Sequence, residues 1–355
     1  MSDCKDTACK AVIASRKPFY RQLRAGQKIS WCSCGRSRRQ PFCDSVSHEG
    51  TGFEPIVYVA QKDEEVLLCG CKQTCNGPHC DGAHNNLPGG YSEEPEHPDA
   101  DIVQLIAPDE AGFARLDGEC FVVSPPQPAG PDYEIHKLVT PSLGAQHQSQ
   151  FYIALARGAS PVLASDMGDI ALWVSAGTGS ITIEGRSFAL AAPCGVNIRQ
   201  GEGFRIEAGD EPLAIYASQC PGGEELTERD AMTGAFDAIF PERIAAIDEE
   251  ARHAMGPRYF QVLLDERHGL RDTAQFIGHI PLSRAEMHRH LYEEALIILS
   301  GGGVIWNETR RARVKAGDVI FFPRKIRHSL QCDQDCGMDV VGLIHPGTNP
   351  GINYA

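Results

Sequence analysis

The chain has 355 residues, of which 42% are hydrophobic, and a formal charge of −14, so it holds material for two or three domains with cores of their own. It has no stretch of eighteen apolar residues and no apolar leader in its charged opening, so neither a membrane span nor a signal peptide is expected. Its fourteen cysteines without an export signal point to a reducing, cytoplasmic setting, where thiols serve as ligands or buried apolar groups rather than as disulfides.

Residues 1–50 carry ten Lys or Arg against four Asp or Glu, a local excess of +6 that leaves −20 for the rest. Segregation of this kind reads as solvated surface, and a nucleic-acid partner is not expected. The first chemistry appears in "WCSCGRSRRQPFCDSVSH", residues 31–48, and returns 37 positions later in "CGCKQTCNGPHCDGAH", residues 69–84. Cys32, Cys34, Ser37, Pro41, Cys43 and Asp44 fall on Cys69, Cys71, Thr74, Pro78, Cys80 and Asp81, so the unit is duplicated. Two cysteines one residue apart can grip one ion, the proline fixes the turn, and the third cysteine closes the site. Cys75 has no counterpart and is not expected to be a ligand. A segment so poor in apolar side chains needs a disulfide or a metal to hold it, and the reducing setting favours metal.

Residues 69–84 meet the signature C-x-C-x2-[S/T]-x3-P-x-C-D-G-[S/A/T]-H and so resemble the CDGSH iron-sulfur (NEET) family. That resemblance implies a [2Fe-2S] cluster on Cys69, Cys71, Cys80 and His84. It implies a second cluster on Cys32, Cys34, Cys43 and His48, although His48 lies one position later than the signature places it: either the loop bulges by one residue so that His48 still ligates, or this site has lost its His. A zinc knuckle is the alternative, since three Cys and one His also suit zinc. A protonatable His in place of a fourth thiolate raises the potential and makes cluster retention acid-sensitive.

"NNLPGGYSEEPEHPD" reads as a Gly-, Pro- and acid-rich linker. Beyond it come short β segments such as "DIALWVSAGTGSITIEG" and "EALIILSGGGVIWNE", related by an offset of 124 that sets Gly177 on Gly301. Two β-barrels of one type are expected. Between them, Leu226, Ala231, Phe236, Ile239, Ile244 and Ile247 make a stripe that predicts a linking helix interrupted at Pro241.

In the second barrel, His288 and His290 alternate onto one face of a strand, Glu294 follows four residues later, and His328 closes "GDVIFFPRKIRH". Three His and one Glu would bind a divalent iron, manganese, nickel or zinc ion and leave positions open for substrate or oxygen. The patterns H-x-H-x3-E-x6-G and G-x5-P-x4-H resemble the cupin superfamily, with Leu282, Lys325 and Cys332 departing from it around the ligands. The counterparts of the four ligands in the first barrel are Ala164, Asp166, Ile170 and Phe204, so that barrel reads as a degenerate cupin kept for packing, dimerisation or lining the site.

The expected architecture is therefore mainly β: a tandem CDGSH domain (1–92), a degenerate barrel (93–222), a helical linker (223–255) and a metal-binding barrel (256–355). The leading functional expectation is a cupin dioxygenase-like oxidoreductase acting on a small molecule with Fe(II) and O2. The two [2Fe-2S] clusters would serve electron transfer or redox gating, with a redox partner protein and a homodimer as further expectations. A metal isomerase or hydrolase, and a non-catalytic redox or iron sensor or cluster carrier, are the alternatives. Tyr292 is a candidate proton donor. Arg324, with Arg284, Arg289 and Arg327, is a candidate for holding a substrate carboxylate or phosphate; Arg289 is the weakest of these on strand alternation, and His279 and His345 read as ordinary strand-end residues.

Overall fold

The computed structural model describes residues 11–89, 103–126 and 132–355; the linker from residue 90 to residue 99 and the boundary at residue 92 lie outside them. The chain forms two compact units. One comprises Met1–Glu93, Glu286–Leu291 and Asn349–Ala355, and the other Glu94–Ala285 and Tyr292–Thr348. The structure is mainly β, and among the described residues the helical elements are short 3-10 turns.

In the first unit Phe19–Leu23 pairs antiparallel with Glu64–Leu68, and Lys28–Trp31 with Ile56–Val59. Each cysteine-rich loop leaves the end of a strand, Cys32 after Trp31 and Cys69 after Leu68. Leu23, Ile29, Trp31, Val66 and Leu68 bury a small core against Cys69 and Cys71. A core of this size is marginal unaided. The tail and residues 286–291 join this unit through specific contacts. Asn349 Nδ2 donates to the Asp81 carbonyl at 2.9 Å and Asn85 Nδ2 to the Gly351 carbonyl at 2.7 Å. Arg289 and Tyr354 exchange two backbone hydrogen bonds, and Tyr354 stacks on Tyr20.

The second unit holds both barrels. In the first, Asp169–Ala176 lies between Cys194–Ile198 and Leu213–Cys220, followed across the sheet by Ser149–Leu155 and Tyr133–Val139. In the second, Glu293–Ser300 lies between Val319–Phe322 and Met338–His345, followed by Ala274–Ile280 and Arg258–Leu264. The order is the same, so the repeat seen in sequence is a repeat of fold. Gly177 and Gly301 mark it closely: both have positive φ, and at both an added Cβ would lie 2.1 Å from a carbonyl oxygen, of Pro212 and of Gly337. Only glycine fits such a turn. Gln104–Ile106, Phe113–Arg115 and Phe121–Val123 precede the first barrel in sequence yet extend the sheets of the second.

Alternation along the strands builds three cores. Ile170, Leu172 and Val174 face the interior of the first barrel, and Leu296 and Ile298 that of the second. Ala171 and Trp173 point the other way and pack with Ile277, Ala295, Ile297 and Phe321 between the barrels. Strands buried on both faces explain why these segments read as continuous apolar runs.

The expected linking helix is absent. Residues 223–255 contain the short strands Thr227–Arg229 and Ile244–Ala245 and the 3-10 turn Glu249–Ala251. The apolar stripe does not act as one face either, since Leu226 is buried while Ile239 is 80% exposed. The physical reason is competition for backbone donors. Glu184 of the first barrel accepts from the backbone of Gly234 and Ala235, and Glu202 accepts from Asp237 N at 2.7 Å. Gly234 has positive φ and Pro241 offers no N–H, so the segment is drawn out as a strap.

Two carboxylates at equivalent strand starts lock the barrels reciprocally. Glu293 accepts from the backbone N–H groups of Gln146, His147 and Gln148 at 2.9–3.1 Å. Asp169 accepts from Arg271 N at 3.0 Å and lies 2.9 Å from the Arg199 guanidinium. Burial alone would raise the Asp169 pKa, but hydrogen bonds from Arg271 and Gln200 and the charge of Arg199 outweigh it and hold the carboxyl below its usual range. Its stabilisation is complete above its unfolded pKa of about 3.9 and is lost as pH falls through the lower folded value. Thermal midpoints of wild type and Asp169→Asn should therefore differ most at neutral pH and converge below about pH 4. A gap that stays constant with pH would refute the assignment.

Candidate cluster and metal sites

The two cysteine loops superpose contact for contact. Cys32 N and Cys69 N donate to the carbonyls of Pro41 and Pro78 at 2.9 and 2.8 Å. Cys43 N and Cys80 N donate to those of Ser30 and Leu67, both at 2.8 Å. Ser37 Oγ and Thr74 Oγ1 donate to the carbonyls of Phe42 and His79 at 2.6 and 2.8 Å. Asp44 and Asp81 each take a backbone N–H from the preceding loop, Arg38 N at 3.1 Å and Cys75 N at 2.8 Å. These carboxylates tie each loop together.

The sulfur and nitrogen atoms approach in pairs. Cys32 Sγ lies 3.6 Å from Cys34 Sγ, and Cys43 Sγ 3.4 Å from His48 Nδ1. In the second copy Cys69 Sγ lies 3.5 Å from Cys71 Sγ, and Cys80 Sγ 3.4 Å from His84 Nδ1. One pair per iron is what a two-iron core requires. His48 reaches the same place as His84 despite its extra residue, because Ser45 adopts the positive φ that Gly82 has in the other copy. Asp44 then holds the longer loop through Val46 N and Ser47 N at 3.2 and 2.9 Å.

The copies differ in exposure. His84 is 1% exposed, with Nε2 buried and without a hydrogen-bond partner among the described residues. Burial pulls its pKa down to about 4 and pushes the Cys80 thiol up to about 12. Cys80 is packed with Leu67, Ile352 and Tyr354. In the first copy Cys43 and His48 are only partly buried. Within the second copy the interaction of Cys69 with Cys71 lowers the former to about 6 and raises the latter. Cys75 is not a free thiol but disulfide-bonded, which corrects the expectation that cysteines here would avoid disulfides.

Of the four predicted cupin ligands, His288 and His290 belong to the first unit, Glu294 and His328 to the second. Residues 288 and 289 form only isolated bridges rather than the expected strand, and the two rings lie 6.5 Å apart. His288 Nδ1 is 2.8 Å from the Glu286 carbonyl and His328 Nδ1 is 3.0 Å from the Ile326 carbonyl. A carbonyl partner places the proton on Nδ1 and the lone pair on Nε2, the form a metal binds. Glu294 is buried opposite Phe322 in the strand register, and the His328 ring lies 4.3 Å from that same phenyl ring. Lys325 stands where the pattern has glycine and keeps a positive φ of 65°, so the loop shape survives the substitution.

Tyr292 is buried in the core of the second barrel, on the same face of the chain as Glu294. Burial, reinforced by the Glu294 charge, raises its pKa well above 10, so the phenol keeps its proton. Arg284 is buried 5.8 Å from the Trp306 ring, Arg324 and Arg289 are partly buried, and Arg327 lies exposed 3.6 Å from Glu308. In the first barrel Ala164, Ile170 and Phe204 are fully buried, and Asp166 is exposed and paired with Arg229. Packing fills the positions that correspond to the four predicted ligands of the second barrel. Two features lay beyond sequence reasoning, Lys72 and the wrapping of residues 349–355; the 37-residue offset, which sets Lys72 against Gly35, held the one available signal.

Residues 281–341 match the Cupin domain family model, a span that includes all four predicted ligands. CDGSH iron-sulfur domain-containing protein 3, mitochondrial, of Homo sapiens is 44% identical over 62 residues, which cover 17% of this chain and 48% of that protein. Its Mus musculus counterpart is 47% identical over 60 residues, covering 16% and 42%. The chain thus spans about half the length of the curated relatives it matches. Procruciferin, an 11S globulin of Brassica napus, matches with a TM-score of 0.50 at 9% identity, covering 64% of this chain and 84% of that one, a likeness of fold alone. No helix among the described residues is long and apolar enough to cross a membrane. The chain thus joins a segment similar to CDGSH iron-sulfur domain proteins to a span that matches the Cupin domain family model.

Proposed function

We propose that this protein is a redox enzyme of the non-haem oxygenase class acting on a small molecule. Cys32, Cys34, Cys43 and His48 would hold one [2Fe-2S] cluster, and Cys69, Cys71, Cys80 and His84 the other. His288, His290, Glu294 and His328 would hold a divalent metal, with Fe(II) the proposed ion. The observation that carries this reading is the matching pairwise approach of the four ligands in both copies, Cys to Cys and Cys to His. When bound, the clusters supply one-electron chemistry and the mononuclear iron supplies open positions for substrate and O2.

The chain's own residues support this division. The Glu286 and Ile326 carbonyls set the tautomers of His288 and His328. The Tyr292 phenol stays protonated beside Glu294 and is the proposed proton donor, at Oη. Arg284 and Arg324 are the proposed partners of a substrate carboxylate, which guanidinium binds in bidentate fashion.

Anaerobic purification followed by iron, sulfide and zinc analysis, with EPR before and after dithionite, tests the reading in wild type and His288→Ala. About four cluster irons and about one mononuclear iron per chain are expected, with only the last lost in His288→Ala. O2 uptake should then appear with a suitable small carboxylic acid and vanish in the variant. Zinc in place of the mononuclear iron, with clusters intact and no O2 uptake, would favour an isomerase or hydrolase; zinc in the cysteine sites would overturn the cluster assignment.

A further inference from the structure

Lys72 stands outside the Cys and His pattern of the loop, yet it is 6% exposed and adopts a positive φ of 63°. Its Nζ donates to the Cys69 carbonyl at 3.0 Å and lies 4.5 Å from the Trp31 ring and 5.9 Å from the Phe19 ring. Trp31, the residue before Cys32, donates through its indole N–H to the same Cys69 carbonyl at 3.1 Å, so the ammonium lies where the starts of the two cysteine loops meet. The corresponding residue of the first copy is Gly35, where an added Cβ would lie 1.7 Å from the Val12 carbonyl oxygen. One copy contributes the cation and the other has no room for one.

A buried ammonium is costly without an anion nearby. Neutral thiols do not provide that anion, whereas three thiolates around a [2Fe-2S] core do: the assembly is anionic when oxidised and gains one further negative charge on reduction. We propose that Lys72 is the shared counter-ion of the two clusters and raises the reduction potential of both. A fixed positive charge in a buried setting favours the more negative, reduced state of whatever lies next to it. The inference rests on the cluster reading above.

The test compares full-length wild type, Lys72→Met and Lys72→Arg, purified anaerobically, by iron and sulfide content and by the midpoints of both clusters in an EPR-monitored dithionite titration, in which each cluster takes one electron from dithionite. Met keeps the length of the side chain without its charge. Lys72→Met should retain both clusters while the reduction equilibrium of each falls on the order of tenfold, about 59 mV for one electron, and Lys72→Arg should restore most of the shift. Unchanged midpoints in Lys72→Met, a shift in one cluster only, or an equal shift in Lys72→Arg would each overturn the proposal. Should Lys72→Met fail to hold clusters, retention in Lys72→Arg supports the need for charge, and loss in both overturns it. A wild type without [2Fe-2S] signals would instead refute the cluster reading itself.

Discussion

Arg243→Ala is expected to destabilise the first barrel by about 3–5 kcal/mol, the largest stability effect of any single substitution considered. Arg243 is fully buried and binds Glu202 in bidentate fashion, at 2.6 Å through Nη1 and 2.7 Å through Nη2. It also donates to the carbonyls of Phe240 and Asp237 at 2.7 and 3.1 Å, and its guanidinium lies 4.2 Å from the Phe236 ring. Removing the guanidinium leaves Glu202 as an uncompensated buried charge and releases the strap that runs across the barrel. The double replacement Arg243→Met with Glu202→Leu should recover much of the loss, because the pair's own desolvation cost disappears with it. Urea unfolding of the three proteins decides the matter; a loss below about 1 kcal/mol for Arg243→Ala would place the strap's hold elsewhere.

Cys80→Ser should eliminate the second cluster and leave the first. Cys80 is buried with Leu67, Ile352 and Tyr354, and a serine oxygen is a poor match for iron in this ligand set. About two irons and two sulfides per chain should be lost, with roughly half the visible absorption, while Cys336→Ser, at an exposed thiol, should change neither. Retention of full iron in Cys80→Ser would remove Cys80 from the ligand set. Loss of all iron would show that the two sites assemble as one, which the shared position of Lys72 makes a meaningful alternative outcome.

The candidate ligand sets are legible in sequence because they depend on particular residue types at short spacings. The 37-residue repeat and the C-D-G-A-H ending place Cys and His side chains within one loop, where local geometry decides the outcome, whereas H-x-H-x3-E runs from His288 and His290 in one unit to Glu294 in the other. The duplicated barrels were legible for a related reason: strand alternation and turn glycines recur at each copy, and Gly177 and Gly301 occupy the same steric trap. The first copy shows the limit of that reading. An added residue before His48 left its position open, and the matching 3.4 Å approaches of His48 and His84 arise from the backbone turn at Ser45.

The linking helix was misread because apolar spacing reports which side chains seek burial, not where the backbone donors will be satisfied. In 223–255 the decisive acceptors, Glu184 and Glu202, lie about 35 to 50 residues away in sequence. By itself, then, the sequence determined the candidate ligand types, the two duplications and the β character of the chain, all of which follow from local chemistry and periodicity. Tertiary structure alone decided that 223–255 is extended, that Glu286–Leu291 and Asn349–Ala355 belong to the cysteine-rich unit, and that Lys72 lies against Trp31 and the Cys69 carbonyl. Each of these depends on groups far apart in the chain competing for the same hydrogen bonds or the same buried charge, and no local pattern records the winner.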